Sequence, residues 1–448
     1  MSGIARIMAA RGMRVSGSDL HESSSLDALR ALGIDVHIGH DARYLDGADI
    51  VVRSAAIPDS NPEIHEARAR AIPVLERATA LASLMENHTS IAVAGTHGKT
   101  TTTSMVTVAL QHCHLDPSFA IGATMRNSGT NAHHGSGDIF IVEADESDGS
   151  FVAYKPKIAV ITNIELDHVD NFKDIESIYQ LFHDFIATIP QSGTLIACSD
   201  DAGVRHVLSG LSDEIRQRIT IITYGENDDP DLRIDRIYLG EKNASARIIQ
   251  RGQVLGELKI AIPGRHNILN ATAALGAGIA AGAHPQQLIA GLELFSGARR
   301  RFEIKGSVAG ITVIDDYGHH PTEITATLET ARRFVGSGRV FVIFQPHRFS
   351  RTQAFADRFA SALNAADHTY LLEIYPASEK PIPGVTSLLI SQKMASGSVT
   401  YEPSMPTVIE RVIDSAQSGD LIITLGAGDV SALAPLIVAN LEARHGAK

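Results

Sequence analysis

The stretch Ile91-Ala92-Val93-Ala94-Gly95-Thr96-His97-Gly98-Lys99-Thr100-Thr101-Thr102-Thr103 constrains this chain more than any other. A short apolar run ends in a glycine-flanked turn, then Lys-Thr, then a segment of helical length. That order predicts a buried strand, a tight loop and a helix, with backbone N–H groups at the helix start facing a polyphosphate. Lys99 would reach the terminal phosphates and the Thr100 hydroxyl would hold Mg²⁺. Gly95, Thr96, His97, Gly98, Lys99, Thr100 and Thr101 are therefore the candidate nucleotide-binding residues. The spacing Gly-x-x-Gly-Lys-Thr is two residues shorter than the common G-x-x-x-x-G-K-[ST] loop. Glycine-rich turns between strand and helix are frequent, so the reading rests on the strand before and the helix after. On it, replacing Lys99 by alanine should stop turnover and leave the fold intact.

The chain has 448 residues, 44% of them hydrophobic, which suggests about three domains at ~150 residues each. Net charge is −12, and the absence of any basic block argues against a nucleic-acid partner. Cys113 and Cys198 have neither metal-site spacing nor a disulfide framework, the usage of a reducing compartment. No apolar run approaches the ~18 residues needed to span a bilayer, and residues 1–6 lack an apolar signal core. A cytoplasmic protein without a membrane partner is the expectation.

Strand-like and helix-like segments alternate throughout, which predicts an α/β architecture with parallel sheets. Residues 4–11 read as a helix, Met13–Ser16 as a strand ending in Gly17-Ser18-Asp19, and residues 24–32 as a helix closed by Gly33. Asp35–Ile38 and Asp49–Ser54 read as strands, and Pro62 opens a helix. In the central region, residues 138–142 and 158–162 are apolar runs ending in polar residues, as buried parallel strands do. Ligands bind beyond the carboxyl ends of such strands, so Gly95–Thr100, Glu143–Asp148 and Asn163–His168 should converge on one site. Residues 219–262 read as a β-rich antiparallel insert and 268–295 as Ala-rich helix. Arg339–Phe344 and Leu421–Leu425 are late strands of a further α/β unit.

Six polar clusters carry candidate chemistry. Glu143-Ala144-Asp145-Glu146-Ser147-Asp148 is an acidic solvated loop on charge pattern alone. Its place after a strand parallel to the loop-bearing one favours Mg²⁺, which takes oxygen ligands. Asn163–Asp170 sets His168 among carboxylates at another strand end, suited to a second cation at a transferring phosphoryl group. Pro263–Asn270 is a turn and helix start where His266 and Asn267 have edges that match an adenine, although Asn is also an ordinary cap. Arg299-Arg300-Arg301 is either a solvated linker or a clamp for a triphosphate. Asp315–Thr322 and Gln345–Thr352 follow strands; Arg348 and Arg351 share a face if helical, and paired guanidinium groups suit a carboxylate.

In this order the motifs resemble the Mur ligase family. Gly-Thr-His-Gly-Lys-Thr is similar to that family's own shortened loop. Pro-Gly-Arg-His-Asn-Ile-Leu-Asn-Ala, Arg-Arg-Phe-Glu and Asp-Asp-Tyr-Gly-His-His-Pro-Thr stand at family-like positions. Glu143–Asp148, Thr162–Asp170 and Phe344–Thr352 resemble the branch that joins L-alanine to UDP-N-acetylmuramate; a tripeptide-attaching branch would carry Asp-Glu-Tyr-Asp in the acidic motif. The resemblance implies three domains, each on a mostly parallel sheet flanked by helices. These are a Rossmann-like UDP-sugar domain over 1–88, N-terminally incomplete, a P-loop ATPase-like domain over 89–297 and a Rossmann-like amino-acid domain over 298–448. It implies ATP and Mg²⁺ as cofactors, UDP-N-acetylmuramate and L-alanine as partners, and a monomer or weak homodimer. It also implies acyl-phosphate chemistry, in which ATP activates a carboxylate that an amine then attacks.

Carried onto this chain, the resemblance makes Lys99, Glu143, His168 and Arg301 catalytic and Thr100, Glu143 and His168 the Mg²⁺ ligands. His266 and Asn267 would lie at the adenine, Arg301 at the γ-phosphate and Asp316 at the ribose or metal. His319, Arg348 and Arg351 would take the amino-acid and product carboxylates, and Asp19 and Ser54 the UDP portion. A nucleotide-binding protein without ligase activity, and a ligase for another amino acid or peptide, are the alternatives. In the family, a strand and a Gly-x-Gly-Gly-x-Gly loop precede Met-Ser-Gly-Ile-Ala, with which this chain opens. The natural start is therefore expected upstream, because losing a central strand leaves neighbouring backbone groups unsatisfied at ~1–3 kcal/mol each.

Overall fold

The computed structural model of the chain describes residues 1–227 and 229–445. It is a three-domain α/β fold whose packing forms two bodies. The first comprises Met1–Ile164, Tyr179–Arg233 and Thr272–Leu292, the second Glu165–Ile178, Ile234–Ala271 and Glu293–Lys448. Among the described residues, no helix is long and apolar enough to cross a membrane.

The first body opens with the helix Ser2–Ala10 and two parallel strand pairs. β1 (Ser16–Asp19) pairs with β2 (Asp35–Ile38), and β3 (Val51–Arg53) with β4 (Val74–Glu76). The first strand thus begins where sequence reading ends it, since Met13 and Arg14 are exposed and lie outside regular structure after the helix. The main sheet uses β5 (Thr89–Ala94), β6 (Ser118–Ala120), β7 (Ala132–His133), β8 (Ile139–Glu143), β9 (Ile158–Ile161), β10 (Thr194–Cys198) and β11 (Thr220–Gly225). Their spatial order is β11-β10-β9-β5-β8-β6-β7. Pairings are parallel except that of β7 with β6. β5, β8, β9 and β10 are buried almost throughout. Their uninterrupted Ile, Val and Ala runs follow from cover on both faces.

The antiparallel insert is smaller than its sequence suggests. β11 is a parallel neighbour of β10, and β12 (Leu232–Leu239) starts parallel to β11 through Leu232 and Arg233. β13 (Ala244–Gln250) and β14 (Gln253–Ile260) form an antiparallel hairpin in the second body, turning at Arg251-Gly252.

The second body holds a six-stranded sheet of β15 (Glu303–Val308), β16 (Ile311–Asp316), β17 (Val340–Phe344), β18 (His368–Leu371), β19 (Val399–Tyr401) and β20 (Leu421–Leu425), in the order β15-β16-β20-β17-β18-β19. β15 runs antiparallel and the rest parallel. Alternation along β17 shows how both faces fill. Val340, Val342 and Phe344 join Ile324, Leu328, Phe355 and Phe359 of the helices Pro321–Val335 and Phe349–Leu363. Phe341 and Ile343 join Val408, Val412, Ile437 and Leu441 on the other side. Period-two side chains between two helical layers explain why this strand reads as one apolar run.

Candidate functional site

The carboxyl ends of β9, β5 and β8 lie side by side, because β5 pairs with both others. Chain leaving β5 turns at Gly95, where φ is +131°. A Cβ there would stand 2.1 Å from Thr162 Oγ1 and 3.0 Å from the Asn163 carbonyl oxygen, so only glycine fits so close to the end of β9. Thr162 and Asn163 clamp the loop. Thr162 Oγ1 and Asn163 Nδ2 donate to the His97 carbonyl at 2.6 and 2.9 Å, and His97 N–H donates to Asn163 Oδ1 at 2.8 Å. Gly98, at φ +83°, is the N-cap of the helix Lys99–His112 and has no side chain with which to cap it. The end carries the partial positive charge of the helix and suits an anion.

That helix is buried from Thr100 to Leu110. Its run of hydroxyl residues is at home there because Thr103, Ser104 and Thr107 donate to the carbonyls of Lys99, Thr100 and Thr103, four residues back. Lys99 Nζ curls over the loop. It donates to the carbonyls of Gly95 and Thr96 at 2.7 and 3.1 Å and pairs with Glu146 at 2.8 Å. Glu146 is 2% exposed. Burial pulls the Lys99 ammonium towards neutrality, but Glu146, Asp145 and Glu143 outweigh it and raise its pKa, so it stays a cation. Thr100 Oγ1 donates to Glu143 Oε1 at 2.8 Å, and the other Glu143 oxygen accepts from Gly122 N–H at 2.7 Å. A hydroxyl and a carboxylate side by side are hard oxygen donors, the set Mg²⁺ takes.

The structure therefore brings together Gly95–Thr101, Glu143 and Glu146, with Asn163 as the loop's clamp. Of the third expected segment, Asn163 and Ile164 belong to this same body. Glu165–Ile178, with His168, packs in the second body. Sequence reading gave Glu146, Thr162 and Asn163 no individual role, although Glu146 and Asn163 lie in segments it expected at the site. The clusters are visible in sequence, but which member faces the lysine or the loop depends on the strand pairing.

Asp19 and Ser54 stand at the ends of β1 and β3. Asp19 Oδ1 accepts from His21 N–H, and Ser54 Oγ from Ala56 N–H.

In the second body, Arg301 sits in a turn whose neighbours Arg300 and Phe302 have φ of +60° and +46°. Such bulky residues rarely adopt that conformation, and here the surroundings impose it. Asp316 accepts from Phe302 N–H at 2.7 Å, Gly318 N–H at 2.8 Å and Thr327 Oγ1 at 3.2 Å. Tyr317 N–H donates to the Arg300 carbonyl at 2.8 Å. Burial raises the Asp316 pKa. The guanidinium of Arg301 lies 5.1 Å from the Tyr317 ring centre, a cation–π contact, and 3.5 Å from Glu323. Asn267 Nδ2 donates to the Pro263 carbonyl at 2.7 Å, and the neighbouring His266 is exposed.

His319, His347, Arg351 and Asp167 form one cluster. Arg351 Nε donates to Asp167 Oδ1 at 2.9 Å and Arg351 Nη1 lies 3.2 Å from His347 Nδ1. Arg351 and Asp167 are each 3% exposed. Asp167 is pulled far below the usual carboxylate range: burial opposes this, and the Arg351 charge overcomes it. Rings of His319 and His347 are 5.8 Å apart. Burial lowers their pKa values to about 3 and about 4, with Arg351 adding to the effect. Arg348, at φ +70°, pairs with Asp170.

These two histidines are neutral in the fold at pH 7 and bind protons near pH 6.5 when unfolded. Between those values the unfolded chain holds more protons, so stability is full above about pH 6.5 and falls as pH drops towards 4. Melting followed at constant ionic strength should lose roughly 4 kcal/mol, about 2 from each histidine, between pH 7 and pH 5. Replacing both histidines by glutamine should flatten that slope, and an unchanged slope would count against their buried neutral state.

The fold and the loop define a class: a three-domain α/β protein whose central sheet carries a shortened phosphate-binding loop. Residues 1–89 match the Mur ligase family catalytic domain, 93–278 the Mur ligase middle domain and 300–428 the Mur ligase glutamate ligase domain. The chain belongs to the Mur ligase family. It is 46% identical over 447 residues to a UDP-N-acetylmuramate–L-alanine ligase of Acidothermus cellulolyticus, covering 99% of this chain and 93% of the relative. A ligase of the same name from Saccharopolyspora erythraea is 47% identical over 453 residues, covering 100% and 92%. Among solved structures, the UDP-N-acetylmuramate-alanine ligase of Thermotoga maritima superposes with a TM-score of 0.82 at 27% identity, covering 99% of this chain and 97% of that one.

Proposed function

We propose that this protein joins L-alanine to the lactyl carboxylate of UDP-N-acetylmuramate at the expense of ATP, in peptidoglycan precursor synthesis. The observation that carries this reading is the Lys99–Thr100 loop beside Glu143, in a chain nearly half identical, over its full length, to ligases of that name. The carboxylate oxygen attacks the γ-phosphorus, the bond to the β-phosphate oxygen breaks, and an acyl phosphate and ADP result. The L-alanine amine then attacks the acyl carbon, the tetrahedral intermediate loses phosphate, and an amide is left. A free carboxylate is a poor acyl donor, and its phosphorylation supplies the leaving group.

In this reading residues 89–297 take ATP, 1–88 the UDP sugar and 298–448 the amino acid. Lys99 exchanges its bonds to the Gly95 and Thr96 carbonyls for β/γ-phosphate oxygens, and its charge offsets the negative charge of the transferring group. Thr100, Glu143 and His168 are the proposed holders of Mg²⁺, which when bound screens the phosphate oxygens. Arg301 is assigned to the γ-phosphate, His266 and Asn267 to the adenine, Asp316 to the ribose or metal, and Asp19 and Ser54 to UDP. Arg351, with Arg348 and His319, is assigned to the amino-acid carboxylate.

With UDP-N-acetylmuramate, L-alanine and Mg·ATP all saturating, phosphate release should require every one of the three. Release that ignored L-alanine, or preferred L-serine or glycine in competition, would overturn the substrate assignment. Arg351→Ala should raise KM for L-alanine by about tenfold to a hundredfold, the worth of hydrogen bonds to a charged group, with KM for ATP unchanged.

A further inference from the structure

The segment Glu165–Asp170 is held by an ordered set of ion pairs within the second body. Its acidic residues each meet an arginine at or beside the helix Phe349–Leu363: Glu165 with Arg358, Asp167 with Arg351 and Asp170 with Arg348. The three pairs are not equivalent. Side chains of the outer pairs are between 24% and 45% exposed, whereas Asp167 and Arg351 are both almost wholly buried. Exposed pairs contribute little. A buried pair fixes geometry, because breaking it leaves a charge without water or partner.

Asp167 uses a single oxygen for two tasks. Oδ1 accepts from Arg351 Nε at 2.9 Å and from the backbone N–H of His168 at 2.7 Å. His168 has φ of +50°, a conformation its β-carbon disfavours. One carboxylate thus sets both the guanidinium plane of Arg351 and the backbone turn at His168. With Nε committed to Asp167 and Nη1 beside His347, the rest of the fork has no rotational freedom left. A guanidinium recognises a carboxylate best through a pre-set pair of parallel N–H groups.

We propose that Asp167 is a positioning residue for amino-acid recognition: it holds Arg351 in the orientation that receives the L-alanine carboxylate. This rests on the assignment of Arg351 in the proposed function, and the test separates the two.

Asp167→Asn keeps the shape and removes the charge. It should raise KM for L-alanine by about tenfold or more, with kcat at saturating L-alanine and KM for ATP and UDP-N-acetylmuramate close to wild type. In an Arg351→Ala background the same substitution should add no further rise, since residues acting through one contact are not additive. An unchanged KM for L-alanine in Asp167→Asn, or a full additional rise in the double variant, overturns the proposal. So does an effect confined to the Mg²⁺ concentration for half-activity, which would place the role of Asp167 at His168 alone. If Arg351→Ala itself leaves KM for L-alanine unchanged, the assignment of Arg351 fails instead. Should Asp167→Asn show no cooperative melting, Asp167→Glu decides: it keeps the charge on a longer arm, and a raised KM for L-alanine supports the proposal while a wild-type KM overturns it.

Discussion

Lys99→Ala should reduce ATP-dependent phosphate release by at least about a thousandfold, the upper range for loss of one donor to a developing negative charge. The structure adds a second effect that sequence reading does not anticipate. Lys99 is the cation paired with Glu146, which is 2% exposed. Alanine at 99 removes the cation that this buried carboxylate pairs with, at about 3–5 kcal/mol. The single variant should therefore be both inactive and less stable, not merely inactive. Lys99→Met combined with Glu146→Gln removes the charge imbalance and restores most of the stability while activity stays lost. Calorimetric melting and phosphate release measured on both variants separate the two effects. Phosphate release near the wild-type rate in Lys99→Ala would remove this lysine from the site.

Gly95→Ala is the second large effect, and a single methyl group causes it. The new Cβ would lie 2.1 Å from Thr162 Oγ1, at a backbone φ of +131°. Strain at such a φ costs about 1–3 kcal/mol, and overpacking a rigid site costs a further ~1–3 kcal/mol. The loop has no slack with which to move, because Thr162 and Asn163 hold the His97 carbonyl and N–H on the far side. Stability should fall by roughly 2–6 kcal/mol, and a loop displaced by about 1 Å should lose at least a hundredfold in rate. Gly252→Ala is the control. Its φ of +82° is also left-handed, but a Cβ there meets nothing within 4 Å. Only the conformational cost of about 1–2 kcal/mol remains, with phosphate release unaffected. Equal losses at the two positions would mean that the contact with Thr162 is not what requires glycine at 95.

Much of the architecture is legible before any coordinates. The apolar runs of β5, β8, β9, β17 and β20 announce buried parallel strands, since a strand covered on both faces has no polar side. Pro62 marks a helix start because proline suits the first turn. In the region 219–262 the antiparallel expectation holds for β13 and β14 and fails at β11, whose intermediate burial along much of its length gives a parallel strand the pattern of a half-exposed antiparallel one. The site divides in the same way. Residue types that bind phosphate and metal stand out at Lys99, Thr100 and Glu143. Asp167 and Glu146 lie in recognised clusters, but neither is distinguished from its acidic neighbours until its partner is known.

By itself the sequence determines the order of strands and helices, the phosphate loop and its helix, and the family to which the chain belongs. These follow from periodicity, from glycine and proline placement and from residue chemistry over a few neighbours, all of which are local. The tertiary structure alone decides which carboxylate neutralises Lys99, which residues require glycine at 95, and that Asp167 holds Arg351 across 184 positions of chain. Those pairings arise where distant segments are brought to one sheet edge or one helix face. Burial then makes the choice among similar side chains matter, because a charge removed from water is tolerated only beside its partner.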